Sequence, residues 1–473
     1  MQRKRMNSMI MIQSLMIIAA LSVGFLCITK GADEYLWLLP CLYTLCFLLF
    51  MVGKWYFTKM SVLIINGCCF IRYVCLPFAY YYMNEGGLSV ISDRLFYNGP
   101  VIFIMFWEMF AIFFIIFLSA HRVYEREQEI RQIKLSDKMT GGSAFFILMA
   151  GIILVVWNPN LLHLGRMFHG ITAESSALVS FIYNSASVIL ALWVILFLKK
   201  TKYIRSDSLK CVSSFLIWCV FSLDCSIDAF GNIGRWGLVI RLCVGLFIFQ
   251  GLYREQFRSL VILAGVFVVI SVFYLTLAKF EHTMGDLDTL SSLKLIFSYK
   301  SLNAYCDGPT NIAYAVKMKA ESGNQYSVLT LVNDIFGNFP VINHFFSAEN
   351  RSPIYFNLAI YESGIARDQI CPLSGQAYGA LYYPGVFLLN GIITYAAMRM
   401  DAASEKEQEI LKKYILKYLA VVWGLSTFLN LNIIFQMLWI DMLPLVLIQC
   451  FNYEIVWKKH FYKNGPNTVR GEL

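Results

Sequence analysis

Charge is scarce in this sequence: Asp, Glu, Lys and Arg make up 15% of 473 residues, against about 25% in soluble domains. That shortage excludes an ordinary soluble globular enzyme. The signatures of nucleotide and metal chemistry are also missing. There is no P-loop, no HExxH, no GxSxG, no CxxC pair and no Cys/His spacing that suits a metal. Energy from a nucleotide bound by this chain is therefore not expected. Neither an internal repeat nor a pair of matching broken helices appears in the two halves, which weighs against a transporter built on such symmetry.

What is present is apolar sequence, 58% hydrophobic and 16% aromatic, which reads as a polytopic, all-α membrane protein. The net charge of +9 does not imply nucleic acid, because the basic residues punctuate apolar runs. Twelve windows are long enough to span a bilayer, near 9–28, 35–53, 61–83, 100–119, 143–162, 177–198, 211–229, 237–253, 259–277, 376–398, 414–431 and 433–452. The first follows the basic start MQRKR and lacks a small-residue cleavage site, so it is read as a retained helix. With the N-terminus inside, the inner segments hold 25 Lys and Arg, whereas the outer turns hold only Lys30, Arg94, Arg166 and Arg235. This asymmetry predicts twelve spans with both termini cytoplasmic.

The resulting partition is a membrane domain at 1–277, a large external loop at 278–375, a second membrane domain at 376–452 and a cytoplasmic tail at 453–473. The loop carries 7 basic and 9 acidic residues, and stretches such as YSVLTLVNDIF have helical spacing, so it is expected to be a partly helical external subdomain. Cys306 and Cys371 bracket most of it; they are either a disulfide or two free thiols.

Candidate site residues fall in two places. In FSLDCSIDAFGNIGRWGLVIR, Asp224 and Asp228 lie four residues apart on one helix face, followed by Arg235, Trp236 and Arg241. Either an aspartate pairs with Arg235 or Arg241 to hold two helices together, or an arginine, Arg235 first, binds an anion through its planar fork. The loop adds His344, Arg351, Arg367, Tyr305 and, at its re-entry into the membrane, Tyr378. Arg72 and Glu108 fall near mid-membrane and are expected to pair, while Asp441 has no partner that the sequence names.

The layout resembles the Wzy-type repeat-unit polymerases, in which many spans, a late large external loop and cytoplasmic termini recur. GNIGRWGLVI (231–240), YCDGPTN (305–311) and LSGQAYGALYYPGVF (373–387) are similar to stretches of that family. In the last, Gln376 stands where the family frequently has an acid, so no catalytic carboxylate carries over. The resemblance implies polymerisation of undecaprenyl-pyrophosphate-linked oligosaccharide units into O-antigen or capsular polysaccharide at the outer face of the bacterial cytoplasmic membrane. It implies no cofactor and no metal. Arg235, with Arg351 and Arg367 next, would stabilise the leaving pyrophosphate, and Arg241 would support binding. Asp228, Asp224 or His344 would accept the proton, while Trp236, Tyr305 and Tyr378 would stack on sugar faces. Implied partners are the lipid-linked oligosaccharide, membrane lipid, and a chain-length regulator and flippase of the same pathway. An O-antigen ligase and a lipid-linked oligosaccharide flippase are the alternatives.

Overall fold

The computed structural model describes residues 2–30, 35–83, 96–125, 142–158, 177–204, 206–224, 235–279, 289–296, 298–339, 342–347, 349–361 and 369–451. Every regular element among them is helical. Lipid offers no hydrogen bonds to a backbone, so a spanning segment satisfies its own, as a helix does. Seven helices are long and apolar enough to cross a membrane: Ser8–Lys30, Met60–Tyr82, Asn98–Tyr124, Phe181–Lys200, Phe257–Leu275, Leu373–Lys406 and Leu431–Phe451. Three shorter apolar helices, Leu38–Phe50, Ala144–Trp157 and Trp236–Leu252, fall on three more of the twelve sequence windows. The remaining two windows meet Asp207–Asp224 and Ile410–Gly424, which are more charged or shorter.

Two compact units divide the chain, and they do not follow the linear partition. The first gathers residues 1–131, 280–403 and 419–436, so the polar insert belongs with the first spans and not to a body of its own. Its helices are α1 (Gln2–Lys30), α2 (Leu38–Phe50), α3 (Met60–Tyr82) and α4 (Asn98–Glu125), with α1 packed on α2 and α2 on α4. Tyr43, Phe47 and Phe113 pack ring against ring at this junction, with centroids 5.7 to 6.3 Å apart. Only 22% of the apolar window of α1 is buried, against 61% for α3; α1 turns Met11, Leu15, Ile18 and Phe25 outward, a surface suited to lipid. At the start of α3, the Asp401 carboxylate accepts the Ser61 N–H at 3.0 Å and the Tyr124 hydroxyl at 3.1 Å, an anion at the positive end of a helix.

The insert supplies α10 (Thr289–Ile296), α11 (Tyr299–Tyr305), α12 (Pro309–Ser322), α13 (Val328–Phe336) and α14 (Ser352–Tyr361). Local sequence starts three of them. Ser298 caps α11 through the Ser301 N–H, Pro309 opens α12, and Ser327 with Thr330 forms a capping box on α13. Helices this short cannot stand alone in water. They bury their faces instead, α12 against both α14 and α4, and α11 against the end of α3.

The chain re-enters the first unit through α15 (Leu373–Lys406), which breaks at Tyr382, where φ is 55°, two residues before Pro384. Proline lacks the N–H and crowds the preceding turn, so LSGQAYGAL forms a short helix of its own ahead of the long one. Gly375 and Gly379 let it come close to the insert: a Cβ at 375 would stand 2.5 Å from Ala315 Cβ, and one at 379 would stand 2.7 Å from the Tyr326 ring.

The second unit comprises residues 132–279, 404–418 and 437–473. Here α5 (Gly142–Trp157), α6 (Ala177–Lys200), α7 (Asp207–Asp224), α8 (Arg235–Leu252) and α9 (Phe257–Lys279) pack largely in chain order. Trp218 of α7 is buried and donates its indole N–H to the Arg241 carbonyl at 2.9 Å. It fits because position 245 has no side chain: a Cβ there would lie 2.0 Å from the indole nitrogen. Gly245→Ala is therefore expected to lower stability by about 1–3 kcal/mol, the usual cost of overpacking, read as a lower melting midpoint of the purified protein. An unchanged midpoint would show that Trp218 can repack. The last two helices, α16 (Ile410–Gly424) and α17 (Leu431–Phe451), contribute residues to both units.

Candidate functional site

The buried polar groups of the first unit converge on the insert. Helix α13 is amphipathic in an unusual sense: Thr330, Asn333 and Asp334 are its buried residues, while Val328 and Leu329 are exposed. A polar face is buried only where partners satisfy it. Asp334 has no exposed surface and accepts three bonds, from the Ser352 N–H at 3.0 Å, from the Ser352 hydroxyl, and from Gln376 Nε2 at 2.8 Å. The Ser352 hydroxyl also meets the buried Tyr326 hydroxyl. On its other side, Gln376 accepts the Leu431 N–H at 2.9 Å. One carboxyl thus ties together the starts of α14, α15 and α17. Burial pushes the Asp334 carboxyl up to about 7, against the lowering pull of Ser352, Arg351 and Gln376.

Arg351 precedes α14 and reaches back to the end of α13. Its Nη1 donates to Asn338 Oδ1 at 3.0 Å and its Nη2 to the Gly337 carbonyl, while Asn338 Nδ2 donates to Asn432 Oδ1 at 2.6 Å. The guanidinium is half-buried, oriented by amide oxygens and held near the Asp334 charge. A cation fixed in this way offers an anion a preorganised site.

A second polar group lies where α11 and α12 meet α3 and α4. Arg72 and Glu108 form the expected buried pair, with Nη2 3.1 Å from Oε2, and Arg72 Nη1 also donates to the Thr427 carbonyl. Arg72 lies in a π-helical turn, Ile71–Cys75. Asp307, at φ 48° in the turn between α11 and α12, is within electrostatic reach of both. Its Oδ1 accepts Asn311 Nδ2 at 3.1 Å.

The hairpin candidates resolve differently. In the second unit Arg241 pairs with Asp441 at 3.0 Å, a partner other than the Asp224 or Asp228 that the pairing reading named. Asp441 also accepts the Tyr418 hydroxyl at 2.6 Å and Asn184 Nδ2 at 3.4 Å, and like Arg72 it lies in a π-helical turn, Leu438–Met442. Widened turns of this kind frequently mark functional or strained positions. Asp224 accepts the Tyr183 hydroxyl at 2.6 Å. Arg235 opens α8 and Trp236 is half-buried behind it; the side chain of Arg235, together with Asp228, the GNIG turn and Arg367, lies outside the described residues, as does the tail from 453.

In the insert, His344 is exposed in the turn Asn343–Phe345, its ring against Phe345, and is not in the buried network. Tyr305 is half-buried at the end of α11. Tyr378 packs edge-on against Tyr382 and at a tilt against Tyr383, centroids 5.5 and 5.3 Å away, and the exposed Tyr382 lies under Lys319 Nζ. Cys306 and Cys371 are both free thiols, which corrects the disulfide alternative. Cys306 faces Cys68 and Cys75, whereas Cys371 is packed with Ala315, Met318 and Tyr326, so each is held by a different neighbourhood.

Sequence reasoning passed over Asp334 and Asn338, and noted Gln376 only as standing in place of an acid. The signal was present in YSVLTLVNDIFGN: Thr330, Asn333 and Asp334 share a face at i, i+3 and i+4. No protein-family model, curated protein or solved structure matches the chain.

Proposed function

We propose that this chain polymerises oligosaccharide repeat units carried on undecaprenyl pyrophosphate, as a twelve-span protein of the bacterial cytoplasmic membrane with the insert on the outer face. The observation that carries the reading is Arg351, a guanidinium oriented by Asn338 and the Gly337 carbonyl beside a buried carboxyl, on an insert packed against apolar spans. Departure of a lipid pyrophosphate builds negative charge, and a fixed guanidinium fork stabilises that charge as it develops. The incoming sugar hydroxyl must lose a proton, and the raised acids of the insert are suited to proton exchange near neutral pH. The aromatic group Tyr378, Tyr382 and Tyr383 at the break in α15 offers faces on which sugars stack.

The test is glycan analysis in the source bacterium with the gene deleted and then restored. Deletion should leave single repeat units on the surface without a polymer ladder, and wild type should restore the ladder. Arg351→Ala, present in the membrane at wild-type level, should not restore it, and Arg351→Lys should restore it poorly, because an ammonium keeps the charge but not the fork. Lipid-linked units trapped on the inner face of the deletion strain would show a flippase instead.

A further inference from the structure

Charge does not balance in the second polar group of the first unit. Arg72 and Glu108 have no exposed surface and Asp307 keeps only 1%, so two acids share one buried cation. Arg72 is engaged by Glu108 and by the Thr427 carbonyl. Asp307 Oδ1 is satisfied by Asn311, but its Oδ2 has no hydrogen-bond partner among the described residues. A bare carboxylate oxygen in a site closed to water is costly, and a buried acid in that position takes up a proton.

We propose that Arg72, Glu108 and Asp307 form a proton-binding site, in which one exchangeable proton on Asp307 Oδ2 neutralises the surplus acid and holds the turn between α11 and α12 on α3 and α4. The groups around the site support this occupant. Arg72 of α3 and Glu108 of α4 act on Asp307 directly, as do Cys306 in the turn itself and Cys371 ahead of α15. The Tyr73 hydroxyl and the Cys69 thiol lie near Arg72 and Glu108, and the thiols of Cys68 and Cys75 lie near Cys306. Arg72 is the one cation in that set. Burial pushes the Cys306 thiol up to about 12 and the Asp307 carboxyl up to about 7, so the cysteine adds no charge at neutral pH and the aspartate exchanges its proton there.

The sign of the effect follows from linkage. The folded acid holds its proton to about pH 7, whereas the unfolded one releases it near pH 4. Between these values the folded state binds more protons, so stability from this site is fully present below about pH 4, declines as pH rises, and is flat above about pH 7.

The experiment is infrared spectroscopy of the full-length protein in detergent, titrated across neutral pH. The background is Asp334→Asn, which removes the other acid raised to about 7. There a carboxylic acid carbonyl band should be present at pH 6 and fade with a midpoint near 7. Adding Asp307→Asn should remove it; asparagine tolerates the left-handed backbone at this position, so the variant is expected to fold. Labelling the background variant with carboxyl-¹³C aspartate should shift the band. Absence of any such band, its persistence when Asp307→Asn is added, failure of the label to shift it, or its replacement on adding sodium would each overturn the proposal.

Discussion

Replacing Arg72 with methionine is expected to destabilise the folded protein by about 3–5 kcal/mol, the cost of breaking a buried ion pair by removing one partner. Glu108 would then be buried without its cation, Asp307 would lose the same counter-charge, and the Thr427 carbonyl would lose its donor. No solvent is at hand to compensate, since all three residues of the charge group are buried. The informative control is the double replacement Arg72→Met with Glu108→Leu. Exchanging a buried pair for apolar side chains of similar volume is often neutral or stabilising, so the double variant should recover most of the loss. Unfolding in mixed micelles at constant pH measures both. A single variant within about 0.5 kcal/mol of wild type would mean that water reaches the pair, because surface substitutions fall in that range.

Asp334→Ala should be nearly as damaging and should also abolish polymer formation if the proposed function holds. Alanine leaves the Ser352 N–H, the Ser352 hydroxyl and Gln376 Nε2 without their acceptor. Each buried polar group left unsatisfied costs about 1–3 kcal/mol, and relaxation of Ser352 toward Tyr326 offsets part of the sum. The damage spreads because Gln376 also holds the start of α17 through Leu431. Arg351, next in sequence to Ser352, loses its fixed setting. Asp334→Asn preserves the shape and should cost less, while exposing the pH dependence. With its folded carboxyl near 7 and its unfolded one near 4, Asp334 makes wild-type stability fall as pH rises between those values. The asparagine variant should show a shallower decline over that window, measured as melting midpoint against pH.

The polar residues separate what was legible from what was not. Pairing of Arg72 with Glu108 was readable, because a charge at membrane depth demands a partner and each was the obvious candidate for the other. Asp441 was visible as a charge without a partner, but Arg241, Tyr418 and Asn184 come from three other helices, and no local rule brings them together. Gln376 was noted only as standing in place of an acid. Its role as the bridge between Asp334 and Leu431 depends on contacts 42 and 55 residues away.

By itself the sequence determined the helical membrane character, the positions of the apolar helices, the capped short helices of the insert and the break after LSGQAYGAL. Each of these follows from hydropathy over a few turns, or from the local chemistry of serine, glycine and proline, which acts within about four residues. The tertiary structure alone decided that the insert joins the first four helices in one compact unit, that Cys306 and Cys371 stay free thiols, and that Asp334 and Asp307 become buried acids. Those outcomes depend on which distant side chains share a desolvated space, and desolvation is a property of the assembled fold that no residue carries in its own neighbourhood.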